Sequence, residues 1–346
     1  MLASAARVTS ARRWFGYHRP VTLHVLNGDA TRLKLERSTV PGEFAVWADA
    51  LHDGPVPADI SDEDLVHLRA EHFAAQLGEP VDGVLAMVRG WNAALARSQD
   101  FDEVIFWLEH DLFDQLILLR HLHWLSTLTA ARPTFSLICI GAFPGVHPFF
   151  GLGPLTSEQL ATLLPDRQAV THEQIALGRE GWTRFRARSP VPLVEWAATD
   201  LSALPFVPGA LRRQFEDYPS ADNGLSRSER QILTALRDGE QTFGELFVAC
   251  QRMEERVFMG DTIFWSIVRS LANGRNPLVT VAGSTGAAVT LPARIALTTL
   301  GEVVLDGGAD HVDLNGIDRW MGGVHLTTSH VWRWDDEEQT MTVAEH

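Results

Sequence analysis

The sequence contains almost no lysine and has a clear excess of acid. Lys34 is the only lysine, and 29 basic residues stand against 44 acidic residues, which gives a formal net charge of −15. That balance argues against broad binding to nucleic acid or to an anionic lipid surface. Neither nucleic acid nor a membrane is therefore an expected partner.

Cysteine and long apolar runs are also scarce. The two cysteines, Cys139 and Cys250, lie far apart in apolar surroundings, which predicts reduced core residues of a cytoplasmic protein. No apolar run reaches the roughly 20 residues that a membrane span requires. Residues 1–20 are rich in Ala, Ser and Arg but lack the apolar centre of a secretory signal, so we predict a disordered extension there.

Two common phosphate-binding motifs are missing as well. The sequence has no G-x-G-x-x-G and no Walker-type lysine, which argues against a standard dinucleotide or P-loop site. What is present is a composition of 45 % hydrophobic and 21 % charged residues over 346 positions. Such a chain is expected to fold into two domains.

Residues 21–155 alternate short apolar runs with helical patterns. Strands are predicted at 21–26, 43–47, 102–108 and 135–141, and longer helices at 61–77, 84–97 and 112–128. Strands that are apolar throughout and separated by helices are typical of a parallel sheet covered on both faces. The fold class predicted here is α/β, with a Rossmann-like, mostly parallel sheet.

The remainder is predicted to form a helical extension over 156–218 and a winged-helix-like α+β domain over 225–346, in which three helices precede a β-hairpin. The third of these helices, 261–275, carries only two arginines, and the predicted wing, 281–291, carries no positive charge. A lid or protein-contact role is thus favoured over DNA binding. Three tail tryptophans are expected to dock on a neighbouring domain: Trp320, Trp332 and Trp334.

Polar segments follow each predicted strand of the first domain. The segments are Asn27 to Asp29, Asp49 to Asp53, Glu109 to Asp111, and the loop 143–150. Ligands of parallel sheets bind beyond the carboxyl ends of the strands. We therefore expect these segments to converge on one site for a small, phosphorylated ligand.

The stretch EHDLFDQ, residues 109–115, is the centre of that prediction. Asp111 and Asp114 share one face at a helix start, and with Asp49 they are predicted to bind a divalent metal, Mg²⁺ or Mn²⁺. Glu109, His52 and His110 are the candidate catalytic groups, with the histidines transferring protons near neutral pH. The alternative is that Asp111 caps the helix and Asp114 accepts free backbone amides.

Other residues of these segments are candidate substrate contacts: Asn27, Gly28, Asp29, Gln115, Phe143, Gly145 and Phe149. The LNGD turn can bond a ligand hydroxyl, leave amides free for a phosphate, or serve as a structural turn only. The aromatic rings of the 143–150 loop can stack on a ligand ring or cover the sheet edge.

Several of these stretches contain short, specific sequence motifs. They are LNGD (26–29), WADALHDGPVP (47–57), WLEHDLFDQ (107–115), FPG (143–145) and FFGLG (149–153). In these motifs the chain resembles the bacterial domain of unknown function 1835 family, over roughly residues 20–155. The resemblance continues through NGLSRSERQIL, GDTIFW, LNGIDRWMGGVHL and WRWD. It implies the domain plan and assigns no chemistry.

These observations favour an enzyme, a metal-assisted hydrolase or transferase acting on a nucleotide or another phosphorylated small molecule. Two alternatives stay open. One is a ligand-sensing transcriptional regulator that uses a winged-helix domain, and the other is an interaction protein without catalysis, in which every polar motif is a cap or a turn.

Overall fold

The computed structural model describes residues 21–129, 133–283, 286 and 292–345. The predicted extension 1–20 and the predicted strand 287–291 lie outside the described residues. The elements of the first half are β1 (Thr22–Leu26), α1 (Asp29–Leu35), β2 (Glu43–Val46), β3 (Gly54–Pro55), α2 (Asp62–Leu77), α3 (Val81–Ala96), β4 (Glu103–Glu109), α4 (Leu112–Thr127) and β5 (Thr134–Ile140). After them come α5 (Ser157–Leu163), β6 (Gln168–Ala169), α6 (His172–Phe185), α7 (Val191–Ala197) and α8 (Val207–Phe215).

The first sheet has five strands in the order β2-β1-β4-β5-β6. The pairs β1–β2, β1–β4 and β4–β5 are parallel, and β6 runs antiparallel to β5. The predicted α/β layer with a mostly parallel sheet is therefore confirmed. Because the chain leaves β1 for β2 on one side and returns to β4 on the other, the carboxyl ends of β1 and β4 form the topological switch point of this sheet.

Both faces of the sheet are covered, as its apolar strands require. In β4, Val104, Phe106 and Leu108 belong to a core shared with α4 and α6, whereas Ile105 and Trp107 belong to a core shared with α1 and α5. This alternation follows from the period of two in a strand. By the same alternation, Glu109 lies two residues after Trp107 and therefore on the same side of the sheet, which faces the 149–155 loop.

The second half contains three helices followed by two antiparallel strands, as the sequence predicts, and a further short strand of the same sheet precedes the second helix. Its elements are α9 (Arg227–Ala235), β7 (Gln241–Thr242), α10 (Phe243–Gln251), α11 (Asp261–Asn273), β8 (Val279–Ala282), β9 (Arg294–Leu297), α12 (Thr299–Leu305) and α13 (His311–Asn315). Strands β8 and β7 pair with opposite edges of β9. A core of their own holds these elements together, with Ile232, Leu246, Trp265 and Ile295 fully buried.

The last strands pack against the first half of the chain. They are β10 (Asp318–Gly322), β11 (Val324–Thr327), β12 (His330–Asp335) and β13 (Thr340–Glu345). Strand β10 pairs in parallel with β3, and the Val56 amide donates to the Gly322 carbonyl at 2.7 Å. Trp334 is buried against Phe215 of α8, with 5.5 Å between ring centroids. In the described ranges, no helix is long and apolar enough to cross a membrane.

Candidate functional site

Three carboxylates meet where β4 ends and α4 begins. Glu109 is the last residue of β4, Asp111 is the N-cap of α4, and Asp114 lies in its first turn. One candidate ligand atom from each lies within 4.8 Å of the others, so the group could hold a metal ion. The three residues, which we call the acidic cluster, are buried, with exposed fractions of 7 %, 5 % and 0 %.

The acidic cluster also satisfies part of the backbone around it. Asp111 Oδ1 accepts a hydrogen bond from the Asp114 amide at 3.0 Å, and Asp114 Oδ2 accepts one from the Glu109 amide at 2.7 Å. The helix-cap alternative is therefore correct as a description of these two atoms. Asp114 Oδ1 is different, because it is buried and has no hydrogen-bond partner among the described residues.

Asn27 brings the end of β1 to the acidic cluster. Its side-chain amide donates to Glu109 Oε1 at 3.0 Å and to Asp114 Oδ2 at 2.8 Å. This contact spans the switch point between β1 and β4, where two of the predicted polar segments converge. One amide group thus offsets part of the negative charge of two buried carboxylates.

The loop after β5 closes the acidic cluster from the opposite side. The Leu152 amide donates to Glu109 Oε1 at 2.6 Å. Gly151 has a φ of +100°, and a β-carbon there would lie 1.8 Å from Glu109 Oε2. Of this loop's residues the sequence predicts Phe149 as a site residue, whereas Gly151 and Leu152, which the FFGLG motif also contains, were not predicted.

Burial and mutual repulsion control the protonation of the acidic cluster. Burial, and then the negative charge of Glu109, raises the pKa of Asp111 to about 8. The pKa of Asp114 lies well above its usual value because of burial and the charges of Asp111 and Glu109, and burial also raises the pKa of Glu109. Full ionisation at neutral pH therefore requires a compensating positive charge.

Three predicted substrate contacts near the acidic cluster have other roles: one holds the end of β4, one caps a helix, and one lies on the surface. The Gln115 side-chain amide donates to the Glu109 carbonyl and to Cys139 Sγ, the latter at 3.3 Å, so it holds the end of β4. Gly28 is the N-cap of α1 in an extended conformation. Asp29 is exposed and pairs with Arg32 at 2.8 Å, outside the acidic cluster.

The structure does not bring Asp49 to the acidic cluster. Its buried carboxylate receives Arg69 Nη2 at 2.6 Å and Arg69 Nε at 3.0 Å, and Arg69 Nη1 donates to the Asp53 carbonyl. The predicted sharing of a metal ion with Asp111 and Asp114 is thus replaced by a buried ion pair. The physical reason is that Arg69, on α2, supplies the charge that Asp49 needs.

The two candidate histidines have different environments. His52 is buried against the rings of Phe113 and Phe258, and neither ring nitrogen has a hydrogen-bond partner in the described part of the chain. Burial lowers the pKa of His52 to about 4, so it is neutral at pH 7. These contacts give His52 no proton-transfer partner.

His110, by contrast, lies between two members of the acidic cluster along the chain. Its half-buried ring lies 5.8 Å from the ring of Phe149 and 5.9 Å from that of Phe206. Nδ1 is buried without a partner among the residues described. Burial, and then the charge of Arg256, lowers the pKa of His110.

In the 143–150 loop, two of the three aromatic rings pack against the protein itself, and Phe150 is exposed. Phe143 and Phe149 are half-buried and pack on the core that contains Leu152 and Ile138. Gly145 is exposed with a φ of +78° and has open space around it. These contacts use the aromatic rings for packing against the protein itself.

The fold and this site define an α/β protein with buried carboxylates at the switch point of a mostly parallel sheet. No protein-family model matches the chain, and no curated protein matches it. One solved structure with some similarity is described as the Aeropyrum pernix ORC1 protein in complex with DNA. It shares 14 % sequence identity, with 84 % of this chain and 86 % of that chain covered, at a TM-score of 0.19.

Proposed function

We propose that the chain is a metal-assisted hydrolase or transferase that acts on a nucleotide or another phosphorylated small molecule. The proposal includes a Rossmann-like first domain, a winged-helix-like second half and the resemblance to the domain of unknown function 1835 family. The observation that carries it is the acidic cluster at the switch point, with Asp114 Oδ1 buried and without a partner in the described ranges. Switch points are where open α/β sheets bind their ligands.

The donor set favours a hard cation. The acidic cluster offers carboxylate oxygens from Glu109, Asp111 and Asp114, with no imidazole or thiolate in the group. Oxygen donors of this kind suit Mg²⁺ and Mn²⁺ better than Zn²⁺. When bound, such an ion polarises a phosphoryl oxygen or lowers the pKa of a water molecule.

Residues of this chain would position the carboxylates, transfer protons and bind the ion. Asn27 and the Leu152 amide hold the carboxylate of Glu109 in place through hydrogen bonds of 3.0 and 2.6 Å. His110 would accept a proton from the attacking group or donate one to the leaving group. Its pKa is lowered, and its Nδ1 has no partner among the described residues. Asp111 and Asp114 would bind the ion and keep its charge balanced.

The second half would cover the first domain rather than read DNA. Helix α11 buries Phe264, Trp265 and Val268 in the core of the second half. Its Ile263 packs against the cluster formed by α2 and α3. Helix α11 thus buries apolar side chains on two sides, which supports a lid or protein-contact role.

Phosphate release from nucleotides, sugar phosphates and p-nitrophenyl phosphate, measured with Mn²⁺, with Mg²⁺ and with EDTA, tests this proposal. We expect metal-dependent release from at least one class, reduced about 100-fold in Asp111→Asn. Asp29→Asn is the matched control, because Asp29 is an exposed acid at the same edge of the sheet. Metal-independent release, or equal rates in the two variants, would contradict the proposal.

A further inference from the structure

A cavity of about 340 Å³ lies at the junction of the two halves. Leu112, the first residue of α4, lines it from the first domain, and Gly209 lines it from α8. Four arginines also line it: Arg212, Arg213, Arg227 and Arg256. Leu112 directly follows Asp111, the N-cap of the same helix.

Three of the four arginines already have carboxylate partners. The pairs are Arg212 with Glu216 at 3.2 Å, Arg213 with Asp217 at 3.0 Å and Glu254 at 2.8 Å, and Arg227 with Glu216 and Glu255, both at 2.7 Å. These ion pairs also neutralise the glutamates of the cavity wall. Arg256 is the arginine of this cavity that has no ion pair among the described residues.

Arg256 is held in place without a carboxylate partner among the described residues. Its Nη1 donates to the carbonyls of His110 at 3.1 Å and Phe206 at 3.4 Å, and its guanidinium lies 5.8 Å from the centre of the Phe206 ring. Gly209 makes this close approach possible, since a β-carbon there would lie 2.9 Å from Nη1. Within the described part of the chain, Nε and Nη2 have no acceptor and remain available to a ligand.

We propose that Arg256 binds a phosphate group of the ligand in this cavity, an inference that rests on the proposed function. A guanidinium donates two parallel hydrogen bonds to phosphate oxygens. The bond to the His110 carbonyl ties Arg256 to the segment between Glu109 and Asp111.

One consequence concerns the role of the second half. Arg256 lies between α10 and α11, so the winged-helix-like half supplies the anion-binding side chain and the first domain supplies the acidic cluster. The ligand would be bound between the two halves. The second half is then part of the site and does not act as an independent DNA-binding unit.

Calorimetric titration of the intact protein with inorganic phosphate alone, and separately with Mn²⁺ alone, tests the assignment. In Arg256→Gln we expect phosphate affinity to fall about tenfold or more, as for loss of charge-assisted hydrogen bonds, and Mn²⁺ affinity to stay unchanged. Arg256→Lys should retain part of the phosphate affinity. Arg212→Gln is the control, because Arg212 lines the same cavity but is paired, and it should bind phosphate like the parent protein.

Gly209→Ala gives a second test that keeps the arginine. The added methyl group displaces the guanidinium and should weaken phosphate binding while the melting temperature stays close to that of the parent. Equal phosphate affinity in the parent and Arg256→Gln, or no phosphate binding by the parent, would overturn the assignment. Absence of Mn²⁺ binding would overturn the proposed function instead, and the phosphate comparison would still decide the role of Arg256.

Discussion

Gly151 lies so close to Glu109 that a β-carbon at position 151 would stand 1.8 Å from Glu109 Oε2. Its φ of +100° is a second reason for glycine, because side chains rarely adopt this conformation. The FFGLG segment can therefore place its backbone directly over a buried carboxylate. Any larger residue must move either the loop or the acid.

Gly151→Ala should consequently destabilise the protein and disturb the acidic cluster. We expect a loss of about 1–3 kcal/mol in the free energy of unfolding, the usual cost of overpacking, measured by urea denaturation. Gly145→Ala is the matched control, since Gly145 also has a positive φ but open space around it. Similar losses in the two variants would show that backbone strain alone is responsible and that the contact with Glu109 has no effect.

Asn27→Ala should also be costly, because one amide serves two buried carboxylates. We expect a loss of about 1.5–3 kcal/mol, the range for hydrogen bonds to charged groups. The loss should be larger at pH 8 than at pH 5, where more of the cluster is protonated. Asn92→Ala is a suitable comparison, because Asn92 accepts one hydrogen bond, from Trp47 at 3.1 Å. A pH-independent loss equal to that of Asn92→Ala would contradict this account.

The pH dependence of stability follows from the raised pKa values of the acidic cluster. A carboxyl whose folded pKa lies above its unfolded pKa contributes stability that is fully present below the unfolded value and is lost as pH rises through the folded value. For Asp111 that window extends from about 4 to about 8. Unfolding free energies of the metal-free protein in EDTA should therefore fall from pH 5.5 to pH 8.5. Asp111→Asn should show a flatter profile, and an identical slope would refute the assignment.

Sequence reasoning found the elements that local patterns determine. Continuous apolar runs predicted β1, β2, β4 and β5, and Asp111 was foreseen as a helix cap. Because parallel strands end at one edge of a sheet, the sequence predicted that the segments of Asn27 and Glu109 converge, and the strand order that makes β1 and β4 neighbours came from the structure. Two hypotheses were open for EHDLFDQ, a metal-binding group and a helix cap. Asp111 caps α4 and is also a member of the acidic cluster, so it fits both.

Local sequence patterns could not predict contacts between residues that are far apart in the sequence. Strand β3 exists because β10 pairs with Gly54 and Pro55, more than 260 residues away in the sequence, and two residues carry no strand signal. Asp49 looked like a metal ligand because its partner, Arg69, resembles an ordinary helix surface residue until α2 is folded against the loop. Likewise, the sequence gives no sign that Arg256 reaches the carbonyl of His110.

Arg69→Met tests the corrected role of Asp49. Removing the arginine leaves a buried carboxylate uncompensated, so we expect a loss of about 3–5 kcal/mol in unfolding free energy, measured by urea denaturation. Arg184→Met is the control, because its pair with Glu180 is partly exposed and should matter far less. Metal affinity of Arg69→Met should be unchanged. Loss of metal binding in a folded Asp49→Asn variant would return Asp49 to the list of ligands.

The most direct test of the account is the binding of Mn²⁺, followed by electron paramagnetic resonance of the free ion. We expect one bound ion per chain in the parent protein and in Asp29→Asn, and greatly reduced binding in Asp111→Asn and Glu109→Gln. If the parent binds no Mn²⁺, or if the cluster variants bind it as well as Asp29→Asn does, the acidic cluster is a proton-sharing helix cap and not a metal site.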